Sequence, residues 1–404
     1  MTAVFTHEMK STHTIVIPEM LEYHFPIMKG ALTADGYNVM VLETGGSDAI
    51  NIGKKYVNND MCFPAIAIIG QFIYSIQRGI CDPDRTAFLI PQTGGACRAS
   101  NYFYLMRKAL VEAGYPQIPV ISLNLSGINS QPGFKISIKM VRAAVISVLL
   151  GDLLMHLYQQ VIPYACDASE PEILLKKWQE RLFADISSGK LCRIKQLVSI
   201  YRSILDDFSK IKRTSASLVK IGLVGELYIK YCRTGNFNAE NFLYSNGVEV
   251  RTTGFAIYAF YVIQSIMYDT ESPDILKKAS SVLLKILTAE HRKLCAEIKK
   301  FNCFSPMPEY SDFFEKSGKV ISKECITGDG WLVSAEAAVL IEYGFDNIIC
   351  LNPFGCLVSH VNCKGISRKI RRMYSNASIT NIECDSDTSL TLYYSRLLMA
   401  IGLE

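Results

Sequence analysis

The sequence lacks most of the signatures that announce a familiar chemistry. It has six histidines in 404 residues, and no two are spaced as His-x-x-x-His, which speaks against a helical zinc site. Gly-x-x-x-x-Gly-Lys-Ser/Thr is missing, since Gly46 and Gly53-Lys54 have the wrong spacing, and Gly328-Asp329-Gly330 lacks the third glycine of a dinucleotide fingerprint. Gly-x-Ser-x-Gly is absent too. The chain is therefore not expected to bind ATP itself or to work as a serine hydrolase. Thirteen cysteines are present, yet no two stand closer than six residues, so there is no Cys-x-x-Cys knuckle. Any cysteine-ligated metal must be held by loops far apart in sequence.

Charge of one sign is also missing. Lys and Arg number 42 against 38 Asp and Glu, a dispersed surplus of +4 that points to no nucleic acid. Residues 1–11 carry Thr, His, Glu and Lys where a secretion signal needs an apolar core. The least polar long run, Val141 to Ile162, contains Arg142, Asp152 and His156, each costly in a bilayer. A cytoplasmic chain with no membrane span is expected. In that compartment thiols stay reduced, which argues against a disulfide framework and leaves some cysteines for metal. His156, on an apolar helix, reads as a satisfied core histidine.

What is present is an α/β pattern. Hydrophobic residues make up 49% and charged residues 20%, the balance of a globular chain, and the length suggests two or three units. Strand candidates at 14–18, 37–42, 86–89 and 119–123 alternate with helices at 25–35, 49–56, 65–78 and 99–113. Three helical stretches follow, 134–162, 171–187 and 191–210. The α/β pattern restarts at 218–224, with strands at 248–252, 347–351 and 379–383. Its helices are expected after Asn238 and at 254–268, 273–287, 288–301, 331–342, 358–374 and 388–401. The fold expected is α/β: two doubly wound Rossmann-like or flavodoxin-like domains, 1–130 and 215–404, joined by a helical bridge at 131–214. Leu149, Leu150, Leu153, Leu154 and Leu157 form a stripe that suggests a dimer, the competing reading being an internal core helix.

One stretch draws the rest together. From Thr86 to Arg98 an apolar strand is ended by Pro91, and Gly94-Gly95 allows a tight turn that presents Cys97 where a helix begins. A thiolate there is favoured by the helix dipole and the free N–H groups. Cys62 follows the capping residues Asn58-Asn59-Asp60 just before another helix. Cys356 follows Asn352-Pro353-Phe354-Gly355 in the same manner. Three cysteines at strand-to-helix turns, two in one domain and one in the other, are the economical pattern of a cubane iron-sulfur site, the alternative being scattered core thiols. Arg98 is placed to stabilise an anionic cluster, with a surface salt bridge as the alternative. His360, four residues after Cys356, either lines the site or simply caps or bridges.

Several segments carry a more specific pattern. Asn58-Asn59-Asp60-Met61-Cys62-Phe63-Pro64-Ala65, Gln92-Thr93-Gly94-Gly95-Ala96-Cys97-Arg98-Ala99-Ser100-Asn101-Tyr102, Pro119-Val120-Ile121-Ser122-Leu123-Asn124 and Gly151-Asp152-Leu153-Leu154-Met155 are four of them. Val224-Gly225-Glu226, Thr327-Gly328-Asp329-Gly330-Trp331 and Pro353-Phe354-Gly355-Cys356-Leu357 complete the set. Together they resemble the 2-hydroxyacyl-CoA dehydratase / benzoyl-CoA reductase-like superfamily, and most of all the C-terminal region of the long CoA-substrate-specific activases, here as a free-standing chain. The resemblance spans about residues 14 to 401. It implies an iron-sulfur cluster held by Cys62, Cys97 and Cys356, fed by a separate actin/Hsp70-like-fold ATPase activator that carries its own iron-sulfur cluster. The cluster is then a single 4Fe-4S cubane or, as in one branch, an 8Fe-9S double cubane, for which Cys303, Cys325 and Cys363 are the spare ligands. A homodimer or heterodimer is implied as well. The function expected is an iron-sulfur reductase component passing low-potential electrons to a small molecule or acyl-CoA. The alternatives are a non-catalytic iron-sulfur electron carrier or docking module, and a 2-hydroxyacyl-CoA dehydratase subunit.

Overall fold

The structure, a computed structural model, describes residues 3–43, 45–92, 97–123 and 131–402. The Gly94-Gly95 turn and Asn124 lie outside the described residues. The chain opens with α1 (Met9–Thr12), β1 (Thr14–Ile17), α2 (Phe25–Thr33) and β2 (Asn38–Val41). Then come α3 (Gly46–Tyr56), α4 (Phe63–Gln77), β3 (Thr86–Pro91), a 3-10 turn at Arg98–Asn101, α5 (Tyr102–Glu112) and β4 (Val120–Leu123). The four strands form one parallel sheet in the order β2-β1-β3-β4. Its central strands are near-continuous apolar runs, Ile15 to Ile17 and Ala87 to Ile90, all buried. Such strands need cover on both faces, which a parallel sheet obtains from its crossover helices.

Three helices follow, α6 (Ile138–Val161), α7 (Ser169–Ser187) and α8 (Leu197–Ser209). The chain then runs through β5 (Val219–Gly225), α9 (Leu227–Tyr231), α10 (Ala239–Ser245), β6 (Val248–Thr252), α11 (Phe255–Tyr268), α12 (Asp274–Lys299), α13 (Tyr310–Val320) and α14 (Leu332–Glu342). It ends with β7 (Asn347–Pro353), α15 (Leu357–Ser359), a π turn at His360–Lys364, α16 (Ser367–Met373), β8 (Ser378–Cys384) and α17 (Leu390–Ala400). The second sheet, β6-β5-β7-β8, is again parallel and repeats the order of the first. In each sheet the order reverses between its first and third strands in sequence, at β1 and β3 and at β5 and β7, and the carboxyl ends of strands at such a reversal are where open parallel sheets take ligands.

Helix α6 bolts the two halves together. Asp152, fully buried in its middle, accepts hydrogen bonds from Phe255 N at 2.6 Å and Ala256 N at 3.0 Å, the first N–H groups of α11. The same carboxylate lies 2.8 Å from His24 Nε2, just before α2. The leucine stripe of this helix is internal: Leu149, Leu150, Leu153, Leu154 and Leu157 are all buried within one chain, so it is not a dimer surface. His156 is a satisfied core histidine, its Nε2 2.9 Å from Ser305 O. No helix among the described residues is long and apolar enough to cross a membrane.

The structure departs from the sequence reading in several places, the short helices α1 and α9 among them. Residues 273–301, expected as two helices, form the single helix α12, because no breaker stands at the junction and the buried face, Leu284, Leu287, His291 and Leu294, runs straight through it. The helix expected at 358–374 is divided into α15, the π turn and α16. Helix α13 was not read; it starts just after Pro308, where Glu309 and Asp312 form a capping box. Cys62 lies between two helices, α3 and α4, and not at a strand-to-helix turn. Those helices cross at Gly53 and Gly70, where a Cβ would come within 2.0 Å of Ile66 O and of Ala49 O respectively. Only glycine permits so close an approach, and it fixes the loop that carries Cys62.

Candidate cysteine site

Cys62, Cys97 and Cys356 share one local geometry. Each is the N-cap residue of a helical segment, in extended backbone conformation: Cys62 before α4, Cys97 before the 3-10 turn that leads into α5, and Cys356 before α15. The N–H groups of a first helical turn have no partner in their own helix; at Cys356 the sulfur accepts from them, while Cys62 and Cys97 make no side-chain capping hydrogen bond. Ser359 N lies 3.5 Å from Cys356 Sγ, and Ser359 Oγ donates to the same sulfur at 3.2 Å. Cys62 Sγ is 2.9 Å from the hydroxyl of Tyr102, a residue of the helix that Cys97 introduces.

The three loops touch. Phe63 N donates to Phe354 O at 3.3 Å, joining the start of α4 to the turn before Cys356. Gly355 has φ +76°, and a Cβ on it would lie 3.5 Å from Cys62 Cα and 3.0 Å from Arg98 Nη1. Arg98, exposed at its own turn, donates through Nη1 to Asp60 O. Its guanidinium thus ties the Cys97 turn to the Cys62 loop and lies against the Cys356 loop. Among the described residues Arg98 makes no salt bridge. His360 bridges: its Nδ1 lies 2.7 Å from Cys356 O and its Nε2 3.2 Å from Glu383.

Electrostatics reflect the same proximity at Cys62 and Cys356. Burial pushes the Cys62 thiol up to about 11 despite the Tyr102 hydrogen bond, with Glu226 and Cys97 adding to the push. Burial likewise raises Cys356 to about 12, with Glu226 and Asp329 contributing and the Ser359 hydrogen bonds opposing. The same Glu226 acts on both thiols, which places them around one carboxyl.

That carboxyl was not singled out from the sequence. Glu226 follows β5 as the N-cap of α9, and its Oε2 accepts from Ile229 N at 3.0 Å. Asp329, from the Gly328–Gly330 turn, accepts from Leu227 N at 3.2 Å on the same helix end. Burial raises the pKa of both, and Asp329 raises Glu226 further. Behind them Lys230 pairs with Glu336 at 2.7 Å inside the core. A signal for Glu226 was available: it stands at the carboxyl end of β5, the position of Cys356 after β7. Tyr102 and Ser359 had none, because their roles depend on loops far apart in sequence.

The spare cysteines lie on three different segments, and Cys325 sits against the Gly328–Gly330 turn that carries Asp329. Cys363, on the π turn, is paired with Cys350 of β7 and is not a free thiol here; a single pair is not the disulfide framework that the sequence argued against. Cys303 is exposed between α12 and α13, where its carbonyl accepts from Arg213 Nη1 at 3.0 Å. Cys325 is half-buried, and its carbonyl accepts from Trp331 N at 2.8 Å.

Among the described residues no three of His, Cys, Asp and Glu are grouped to hold a single metal ion. A cubane asks for a different arrangement, one thiolate at each of several irons, from donors spread around the cluster. The donor chemistry fits that demand. Three sulfurs sit at helix N-termini on touching loops, and two of them are buried enough to stay protonated without a cation to stabilise the thiolate. No family model matches the chain, and no curated protein matches it.

Proposed function

We propose that the chain is an iron-sulfur reductase component that takes low-potential electrons from a separate ATP-hydrolysing activator and passes them to a small-molecule or acyl-CoA substrate. The two parallel sheets are read as two doubly wound domains, 1–130 and 215–404, that present the site from facing crevices. The observation that carries the proposal is the placement of Cys62, Cys97 and Cys356 as helix N-caps on loops in mutual contact. An iron-sulfur cluster, when bound by these three thiolates, supplies reversible one-electron storage. The residues around it have their own tasks. Ser359 donates two hydrogen bonds to one sulfur, which eases accumulation of negative charge there. Tyr102 does the same at Cys62 if its hydroxyl is the donor. Glu226, held protonated by burial and by Asp329, keeps a proton near the site without adding a charge to it.

A cytoplasmic chain remains the proposal for location. The carrier or docking-module reading differs from the reductase in needing no substrate cavity beside the sulfurs, and the dehydratase-subunit reading in needing an acyl-CoA. Purification without oxygen followed by electron paramagnetic resonance of the reduced protein tests the proposal. A cluster signal that is lost or altered in Cys97→Ala and kept in Cys81→Ala supports it. A featureless wild-type spectrum in both redox states, from colourless protein, refutes it.

A further inference from the structure

The segment that carries Cys356 continues into an exposed basic stripe. Between Asp346 and Glu383 the chain holds Lys364, Arg368, Lys369, Arg371 and Arg372 and no acid. Those five positive charges exceed the +4 surplus of the whole chain, so its basic balance is concentrated here. Leu357, Val361, Lys364, Arg368 and Arg371 follow one another by four, three, four and three residues, and all are exposed. Behind them Val358, Ser359, Asn362, Cys363, Ser367 and Ile370 are buried. The exposed residues therefore share the outer side of α15, the π turn and α16. Among the described residues Lys364, Arg368, Arg371 and Arg372 make no ion pair, and Lys369 turns back, its Nζ donating to Val320 O at 2.7 Å. Glu383, the acid that reaches this segment, is paired with His360 at 3.2 Å. The other end of the stripe is apolar: Phe354 is 44% exposed, Leu357 68% and Val361 53%, and the first two flank Cys356 in sequence.

We propose that this stripe is the docking face for a small acidic electron-carrier protein. Isolated surface bases are ordinary. Unpaired arginines in a row beside exposed apolar residues have the make-up of a protein contact, in which arginine is enriched and a small apolar centre is rimmed by charge. With no acid in the stripe itself, the complementary surface is acidic. An anionic bilayer fits less well, because a helix lying in a membrane interface needs an apolar side along its length, and Ile370 of α16 faces inward. The stripe runs roughly 20 to 25 Å from Leu357 to Arg372, the scale of the small, transient contacts that redox partners form. Its apolar end adjoins Cys356, so a carrier seated on it comes close to the sulfurs. Such a carrier is a partner distinct from the ATP-hydrolysing activator. Its being an electron carrier rests on the redox reading of the cysteine site; its acidity rests on the stripe alone.

Calorimetric titration of the full chain, purified without oxygen, with a small acidic ferredoxin tests this. The wild type is expected to bind at about 50 mM salt and at least tenfold more weakly at about 500 mM, where the Debye length shrinks to about 4 Å. Arg368→Glu/Arg371→Glu should weaken binding at least tenfold at the lower salt. Lys278→Glu/Lys285→Glu on α12, an equal change in net charge, should leave it within about twofold. All four positions are exposed, and an unchanged thermal melt establishes that each variant is folded. Absence of wild-type binding at low salt overturns the proposal, as does binding that the arginine pair does not affect or that both variants lose alike. A wild type that binds anionic phospholipid vesicles through these arginines, and not the ferredoxin, overturns it too. Iron content of the same samples separates the two readings: an iron-loaded chain that fails to bind overturns this surface alone, and an iron-free chain that binds overturns the cluster alone.

Discussion

Replacing Asp152 with alanine should be among the most damaging single changes that leave every cysteine in place. The carboxylate is fully buried and holds three groups at once: His24 at 2.8 Å, Phe255 N at 2.6 Å and Ala256 N at 3.0 Å. Removing it leaves the first N–H groups of α11 without an acceptor and His24 without its partner, in a site water does not reach. Loss of one member of such a buried set costs about 3 to 5 kcal/mol. That is a large part of the roughly 5 to 15 kcal/mol that separates folded from unfolded chains. Asp152→Asn keeps the shape and one acceptor oxygen and should lose about 1 to 2 kcal/mol. The assay is guanidinium and thermal unfolding followed by circular dichroism. Because α6 contacts both halves through this residue, the alanine variant should also broaden the melt or split it in two. An alanine variant within about 0.5 kcal/mol of the wild type, with a single sharp transition, would refute the account of Asp152 as the bolt between the halves.

Two further changes report on other parts of the structure. His156 is buried and neutral, its pKa pushed down to about 3 by burial and by Arg251. A histidine depressed in the folded state lends stability that is present above its ordinary value of 6.5 and lost as pH falls toward 3, at about 1.4 kcal/mol per pH unit. His156→Gln should flatten that part of the wild-type acid-unfolding curve, and an unchanged slope would contradict the assignment. Gly355→Ala forces a side chain into a left-handed backbone position against Arg98 and the Cys62 loop; a loss of about 1 to 3 kcal/mol in thermal stability is expected, and a neutral effect would deny the contact of the loops.

Several parallel strands were legible in the sequence as short apolar runs ended by Pro, Gly or Asn, as β1 is before Pro18 and β4 before Asn124; β6 at Val248–Thr252 matches residue for residue although it carries Glu249 and Arg251. Helix junctions were less so. The first half of α12 carries aliphatic residues on its outer face as well, so its pattern reads as a separate helix from the second half, where only the inward face is apolar. The Leu149–Leu157 stripe reads as surplus hydrophobicity only until α7, α8 and the second sheet pack around it. At the site, the N-cap position of the cysteines was visible from the turn and helix signals on either side. The acid pair Glu226–Asp329 was not, since its members are 103 residues apart and meet only because β5 and the Gly328–Gly330 turn end at the same helix. The Cys350–Cys363 disulfide was equally hidden, as it joins a strand to a π turn that the sequence reads as ordinary helix.

The measurement that bears most directly on the central claim is the iron and acid-labile sulfide content of the chain purified without oxygen. The account predicts about four of each per chain for a single cubane, or about twice as much iron for a double one. It predicts a loss of most of that content in each of Cys62→Ala, Cys97→Ala and Cys356→Ala, with Cys232→Ala, whose thiol is buried and donates to Glu19 O, unaffected. An iron-free wild type, or iron retained in full by all three variants, would contradict it.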